Sequence, residues 1–271
     1  MDTQTRSQST VTSATGRLVL ALTALSLLTA VYLGLSQESA LPAVGATLLA
    51  FGFAAFLAGD VAGKVLTLGA LEVSWAEHRR YVGFAAGTFG FGILLGALLY
   101  LAGVDLLEFF LEMLGEEFTE TESPDPEALE FDLTAEFFIV QNTPPFLFSI
   151  LGAVTLGLFT LVVMVFNGIL IGNIGIGAGA EMGFDLVFVL LVPHGVFELA
   201  ALFLAAGVGF RLVHRFGQRL RGTRESFITK AYLYRTSLFV FFGWLLLVLA
   251  AFIEAYVTIA VAELLFGARL E

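Results

Sequence analysis

Long apolar runs constrain the fold of this chain more than any other feature of its sequence. Residues 18–35, for example, contain no charged side chain, and about 18 to 20 apolar residues suffice for a helix to cross a bilayer. A soluble domain of 271 residues has too little interior to bury a composition that is 58% hydrophobic. The sequence therefore predicts an all-α polytopic membrane protein, a bundle of transmembrane helices.

The apolar runs and the basic clusters together predict about seven spans. These are residues 18–35, 42–59, 81–103, 145–166, 168–183, 184–210 and 236–263. Arg and Lys cluster in residues 64–80 and 211–235, and the positive-inside rule places both clusters in the cytoplasm. The spans 145–166 and 184–210 must then both run inward, so an odd number of crossings is needed between them. We therefore expect the short, Gly-rich stretch 168–183 to cross as a broken, partly unwound span.

The acidic residues are concentrated in one loop. Residues 105–136 hold twelve of the 24 acidic side chains and no basic one, and the whole chain has a net charge of −11. The predicted topology places this loop, 104–136, and the C-terminus outside the cell and the N-terminus in the cytoplasm. An acidic loop and the presence of only two Lys residues favour a halophilic archaeon as the source, because acidic surfaces stay soluble in high salt. No basic face is large enough for nucleic acid.

The loop's C-terminal part and the start of the fourth span carry turn signals. We expect residues 131–142 to form an amphipathic helix at the membrane surface. Pro144 and Pro145 are expected to open the fourth span, because a helix start tolerates proline.

Two ionisable residues lie one helical turn apart within the apolar stretch LLVPHGVFELAA, residues 190–201. They are His194 and Glu198, and Glu254 occupies a similar place in LAAFIEAYVTIA. Each such group costs about 2.5 to 3.5 kcal/mol at the bilayer centre, so all three should face the bundle interior. The predicted buried polar cluster comprises His194, Glu198, Glu254, Asn167 and Asn173. Pro193, Gly195, Gly168 and Gly172 are predicted positions of helix packing or kinking.

Three interpretations of this cluster remain open. It could be a hydrogen-bonded group that fixes helix register, a relay for protons or ions, or a metal or hydrolytic site. If two carboxylates approach each other, at least one should be protonated. The third interpretation is weak because one His and one Glu supply two ligands, whereas zinc needs three or four. HGVFE also differs from HExxH, and GxSxG is absent. We therefore predict no catalytic residue, no metal and no cofactor.

Four motifs in order resemble a known family. They are QNTPPFLFSILGAVTLG, FNGILIG, PHGVFELAALFLAAGVGF and AAFIEAYVT. This order is similar to that of the stage II sporulation protein M family, also called DUF95 integral membrane proteins, over roughly residues 81–265. The resemblance implies a five-span core and matches the family signature at His194, Gly195, Glu198, Asn167, Gly168 and Glu254, positions without an established catalytic role.

The resemblance also implies a domain division and a kind of function. Residues 1–17 would be a disordered cytoplasmic N-terminus, 18–80 two added spans with a cytoplasmic segment, and 81–265 the family core. The family's namesake acts as a scaffold in a membrane complex during endospore engulfment, a role that a halophilic archaeon would not need. We therefore expect a non-enzymatic, multi-pass scaffold or component of a membrane complex in the cell membrane. The alternative is a channel or secondary transporter in which the cluster relays protons or ions. The expected partners are lipid and other proteins, with a homo-oligomer left open.

Overall fold

The computed structural model describes residues 12–62, 67–108 and 133–270. Within these ranges the chain is all α, and seven helices are long and apolar enough to cross a membrane. The predicted fold class is therefore confirmed. Most of the acidic loop lies outside the described residues, so the halophilic adaptation inferred from it stays a prediction. The predicted disordered N-terminus is too long, because residues 14–17 already belong to the first helix.

The helices are numbered here in chain order. They are α1 (Ala14–Ser36), α2 (Leu41–Ala62), α3 (Leu68–Leu101), α4 (Ala135–Leu151), α5 (Leu158–Met182), α6 (Phe184–Leu220), α7 (Lys230–Phe252) and α8 (Ile259–Leu270). A 3-10 turn, Gly152–Thr155, joins α4 to α5, and a π-helical segment, Ile253–Thr258, joins α7 to α8 without a break. The last crossing is thus one long rod made of α7, the π segment and α8.

Hydroxyl side chains define where four of these helices begin. Each accepts a hydrogen bond from a backbone N–H in the first turn, which would otherwise lack a partner. The four N-cap residues are Ser13, Thr67, Thr134 and Thr229.

The fourth span differs from the prediction. It begins at Ala135 and ends at Leu151, so the expected surface helix 131–142 and the first part of the expected span 145–166 form one helix. The last part of that expected span belongs to α5. Pro144 and Pro145 lie inside this helix rather than at its start. A transmembrane helix tolerates internal proline where hydroxyl side chains and neighbouring helices compensate for the lost backbone bonds. Thr143 and Ser149 donate to the carbonyls of Ile139 and Pro145, which are not the two carbonyls, Val140 and Gln141, that lose their i+4 donors to the prolines.

The fifth span also differs from the prediction, because it is neither short nor unwound. The chain turns at Leu156 and Gly157, which have φ angles of 56° and 86°, and not at Asn167. Gly157 adopts this left-handed conformation without steric cost. The 25 residues of α5 form a helix about 37 Å long, which spans the hydrocarbon core unaided. The count of seven helices therefore holds although the position of the break was wrong.

The last crossing occupies the centre of the bundle. In the apolar stretch of this crossing, 78% of the residues are buried, whereas in the other six spans the buried share is at most 33%. Phe242 of α7 packs edge to face against Phe53 and Phe56 of α2, at ring-centroid distances of 5.9 and 5.8 Å. These contacts attach the α1–α2 hairpin to the core.

Glycines on α3 and α5 bring these two helices into backbone contact. Gly92 and Gly96 face Gly168 and Gly172, and a Cβ added at any of the four would meet the opposite backbone at less than 3.0 Å. Small residues at this spacing allow close packing without lipid between the helices. The Gly-rich stretches thus form a packing interface.

The turn between α4 and α5 fixes which ends of the helices lie together. A Cβ on Gly157 would lie 3.4 Å from side-chain atoms of Phe210 and Val213, next to the basic end of α6. Arg235 of the second basic cluster pairs with Glu77, which lies within the first, so both basic clusters belong to one end of the bundle. That this end is cytoplasmic stays a prediction from the positive-inside rule.

Candidate functional site

The ionisable residues of α6 and of the last crossing meet inside the apolar part of the bundle. His194 and Glu198 lie one turn apart on α6, and Glu254 and Thr258 belong to the π-helical segment. Along the axis of α6, His194 is about 15 Å from Phe184 and about 24 Å from Phe210. The cluster therefore lies well within a hydrocarbon core about 30 Å thick.

The three titratable side chains are close together. One potential ligand atom from each of His194, Glu198 and Glu254 lies within 4.8 Å of the others. The Nε2 atom of His194 is 3.7 Å from Oε1 of Glu254, and its Nδ1 atom is 3.3 Å from the hydroxyl of Thr258. His194 is only 7% exposed, so its imidazole points into the protein and away from lipid.

The π-helical segment determines how the last crossing contributes to this cluster. Such segments are rare and frequently occur at functional sites, because one extra residue per turn re-aims the side chains. Glu254 and Thr258 lie at opposite ends of the segment's central turn, and both approach the same imidazole. The local deformation thus places a carboxyl and a hydroxyl on either side of His194.

The hydrogen bonding of the cluster is incomplete. Oε2 of Glu254 is buried without a hydrogen-bond partner among the described residues, and 3.7 Å is longer than a hydrogen bond. Buried polar atoms are nearly always paired, so an unpaired one calls for an explanation such as a bound ion or water. One imidazole nitrogen and two carboxylates can share protons or bind a cation.

The two asparagines predicted for this cluster are engaged elsewhere. Asn173 is buried and uses its whole amide at the end of α3, where it accepts from Leu106 N and donates to the carbonyls of Gly96 and Val104. Asn167 donates to the carbonyl of Val163 in its own helix. The rotation of α5 about its own axis could not be read from the sequence, so the prediction grouped all polar residues at similar depth.

The four predicted packing and kink residues also have different surroundings. Gly168 and Gly172 lie in the α3–α5 interface described above. Pro193 lies within the continuous helix α6. Gly195 has no neighbour within 4 Å of an added Cβ among the described residues, so the close approach expected there is absent.

Sequence reasoning missed Thr258 and a second polar network at the basic end of the bundle. In that network Arg235 pairs with Glu77 at 2.8 Å, and Arg215, only 3% exposed, stacks on the ring of Tyr232. His78 lies 3.3 Å from the hydroxyl of Tyr232. The spacing of Thr258 four residues after Glu254 was a usable signal, whereas the network depends on contacts between distant segments.

Comparisons with known proteins agree with the motif order. The sequence profile of the stage II sporulation protein M family matches residues 85–259. An uncharacterized protein of Methanocaldococcus jannaschii is 31% identical over 132 residues, which make up 47% of this chain and 72% of that protein. No solved structure matches the chain significantly. Because the matched profile covers more than half of the chain, the chain belongs to the stage II sporulation protein M family.

Proposed function

We propose that this protein is a non-enzymatic membrane protein in which His194, Glu198 and Glu254 bind and relay protons within the bilayer. The observation that carries this proposal is the unpaired, buried Oε2 atom of Glu254 beside an imidazole. A cluster that served only to fix helix register would be expected to satisfy its own donors and acceptors.

The position of the cluster supports the same function. Ionisable side chains inside a membrane are costly and commonly mark proton or ion pathways. Glu198 is partly exposed and the side chain of Glu254 is 22% exposed, so neither carboxyl is completely enclosed by the bundle. His194 lies between them and the hydroxyl of Thr258, and can receive a proton on one nitrogen while the other holds a hydrogen bond.

A proton fits the observed spacing better than a transition metal. Zn²⁺ binds its ligands at about 2.0 to 2.2 Å, which places tetrahedral ligand atoms about 3.4 Å apart. The donor atoms here spread to 4.8 Å and would have to move together. The structure nevertheless groups three potential metal ligands, one more than the His and Glu counted in the sequence analysis. The experiment therefore also measures metal binding.

Proton flux into liposomes tests the proposal directly. Purified protein is reconstituted with a pH-sensitive dye inside the vesicles, and a pH step and a potassium-valinomycin potential are applied in turn. Wild type should carry flux and Glu254→Gln should lose most of it. Glu263→Gln is a matched control, because it makes the same chemical change at an exposed glutamate of α8.

Each result of this experiment has a defined meaning. Wild type without flux under every gradient would remove the relay proposal. A Glu254→Gln protein that keeps its flux and loses only thermal stability would instead support a structural cluster. Tight Zn²⁺ or Mn²⁺ binding that is abolished by His194→Gln would replace proton relay with metal binding.

A second candidate function, a scaffold within a membrane complex, is favoured by a separate observation. An apolar groove of about 460 Å³ lies between α4, α6 and α7, lined among others by Phe146, Leu212, Leu233 and Trp244. A partner's transmembrane helix could pack there.

Because the chain has no cysteine, Leu233→Cys gives a single cross-linking site in native membranes. Leu28→Cys on lipid-facing α1 is the control, and equal protein cross-linking from both would count against the groove.

A further inference from the structure

A second cleft lies between the basic ends of α3 and α6. It has a volume of about 400 Å³ and is lined by Arg80, Tyr81 and Phe84 of α3 and by Phe210, Val213 and His214 of α6. This cleft is remote from the His/Glu cluster, because His214 and His194 are about 30 Å apart along α6.

The charge that acts on His214, which lines the cleft, has one sign. The charged side chains that act on His214 are Arg211, Arg80, Arg221 and Arg224. Among the described residues, the ion pair at this end joins Arg235 to Glu77, and none includes Arg80 or Arg211. The cleft therefore attracts an anion.

Arg211 adds an unsatisfied donor beside the cleft. Its Nη1 donates to the hydroxyl of Tyr81 at 3.2 Å, and its guanidinium lies 5.5 Å above that ring. Its Nε is buried without a hydrogen-bond partner among the described residues. Buried guanidinium nitrogens without acceptors are rare and favour oxygen-rich anions.

The part of the cleft that lies nearer the middle of the membrane is apolar. Phe84 and Phe210 pack edge to face at 4.9 Å, each one turn nearer the middle of the membrane than Arg80 and His214. Phe84 is 53% exposed, at a depth where the surroundings are acyl chains. The cleft thus combines cations at headgroup level with aromatic rings at acyl level.

We infer that this cleft binds one anionic phospholipid, with the phosphate beside Arg80, Arg211 and His214 and the first acyl carbons against Phe84 and Phe210. Basic pockets between transmembrane helices are known to take lipid headgroups of this kind. A lipid is a better occupant than a soluble phosphate because the apolar wall needs a covering that only the acyl part provides. This inference is independent of the proton relay.

Native mass spectrometry of the delipidated full-length protein tests the inference. The protein in detergent is titrated with phosphatidylglycerol, phosphatidylcholine and, separately, inorganic phosphate. Phosphatidylglycerol should bind with one-to-one stoichiometry and more tightly than phosphatidylcholine. Millimolar phosphate should not displace it.

Two single substitutions of neighbouring arginines make the test specific. Arg80→Gln should weaken phosphatidylglycerol binding by roughly fivefold, the effect of removing one cation near an anionic headgroup. Arg79→Gln removes the same charge from an exposed residue that does not line the cleft, and should change binding less than twofold. His214→Gln should weaken binding in the same direction as Arg80→Gln.

Three outcomes would overturn the inference. Equal losses for Arg79→Gln and Arg80→Gln would mean that only the general charge of this end attracts lipid. Equal affinity for the two phospholipids would remove the role of the anion. Displacement by phosphate at matched concentration would assign the site to a soluble anion.

Discussion

Substitution of Gly96 by alanine should destabilise the bundle strongly, although the change adds a single methyl group. The added Cβ would meet the carbonyl oxygen of Ile169 and the backbone nitrogen of Asn173 at less than 3.0 Å. Both atoms belong to the backbone of α5, so no side-chain rotation can make room. The two helices would have to move apart along the whole Gly92–Gly172 contact.

The expected magnitude follows from two opposing terms. Replacing Gly by Ala within a helix is favourable by about 1 kcal/mol, and overpacking a tight contact costs about 1 to 3 kcal/mol or more. Because the obstruction is rigid backbone, the upper part of that range applies, and the net loss should be about 2 kcal/mol. This corresponds to a decrease in the unfolding midpoint of about 4 to 8 °C.

Gly87→Ala provides a matched control on the same helix. No atom lies within 4 Å of an added Cβ at this position, so only the favourable helix-propensity term should remain. The assay is thermal unfolding in detergent at one fixed scan rate, because unfolding of a membrane protein is often irreversible. Equal midpoints for the Gly96→Ala and Gly87→Ala proteins would show that α3 and α5 are not in backbone contact.

Three further predictions concern other contacts and the topology. Asn173→Ala removes one accepted and two donated hydrogen bonds at the end of α3 and should cost about 2 to 4 kcal/mol, measured by thermal unfolding. A double-mutant cycle of Glu77→Gln and Arg235→Ala should give a coupling of about 1 kcal/mol, since each side chain is 25% exposed. A protease added to right-side-out vesicles should cleave within residues 104–136. Cleavage only in inverted vesicles would reverse the predicted orientation.

The fold class followed from sequence because hydrophobic length is a property of local composition. Seven helices occur near the predicted spans, and four helices begin at a hydroxyl N-cap residue. The exact ends were less predictable for a physical reason. Pro144 and Pro145 are strong helix-start signals in water, but a bilayer removes the alternative of solvating the backbone and so keeps the helix intact through them.

The site was only partly predictable because register between helices is a long-range property. The i to i+4 spacing placed His194 and Glu198 on one face, and the cost of burying charge suggested Glu254 as a partner. The same reasoning added Asn167 and Asn173, whose hydrogen bonds lie elsewhere. The depth of each polar residue in the membrane could be estimated from the sequence. The side of α5 on which Asn167 and Asn173 lie depends on the contact of Gly168 and Gly172 with α3.

The two polar sites on α6 constrain how a proton relay would work. The cleft near His214 and the cluster at His194 are about 30 Å apart along α6. The half-buried Arg211 and the buried Arg215 lie at one end, and a positive barrier there opposes the exit of a proton toward that side. The distance to Phe184, at the other end, is shorter, about 15 Å, and free of basic residues along α6. Protons should therefore exchange more readily between the cluster and the end opposite to the basic one, and a complete crossing would be limited by the passage beside the arginines.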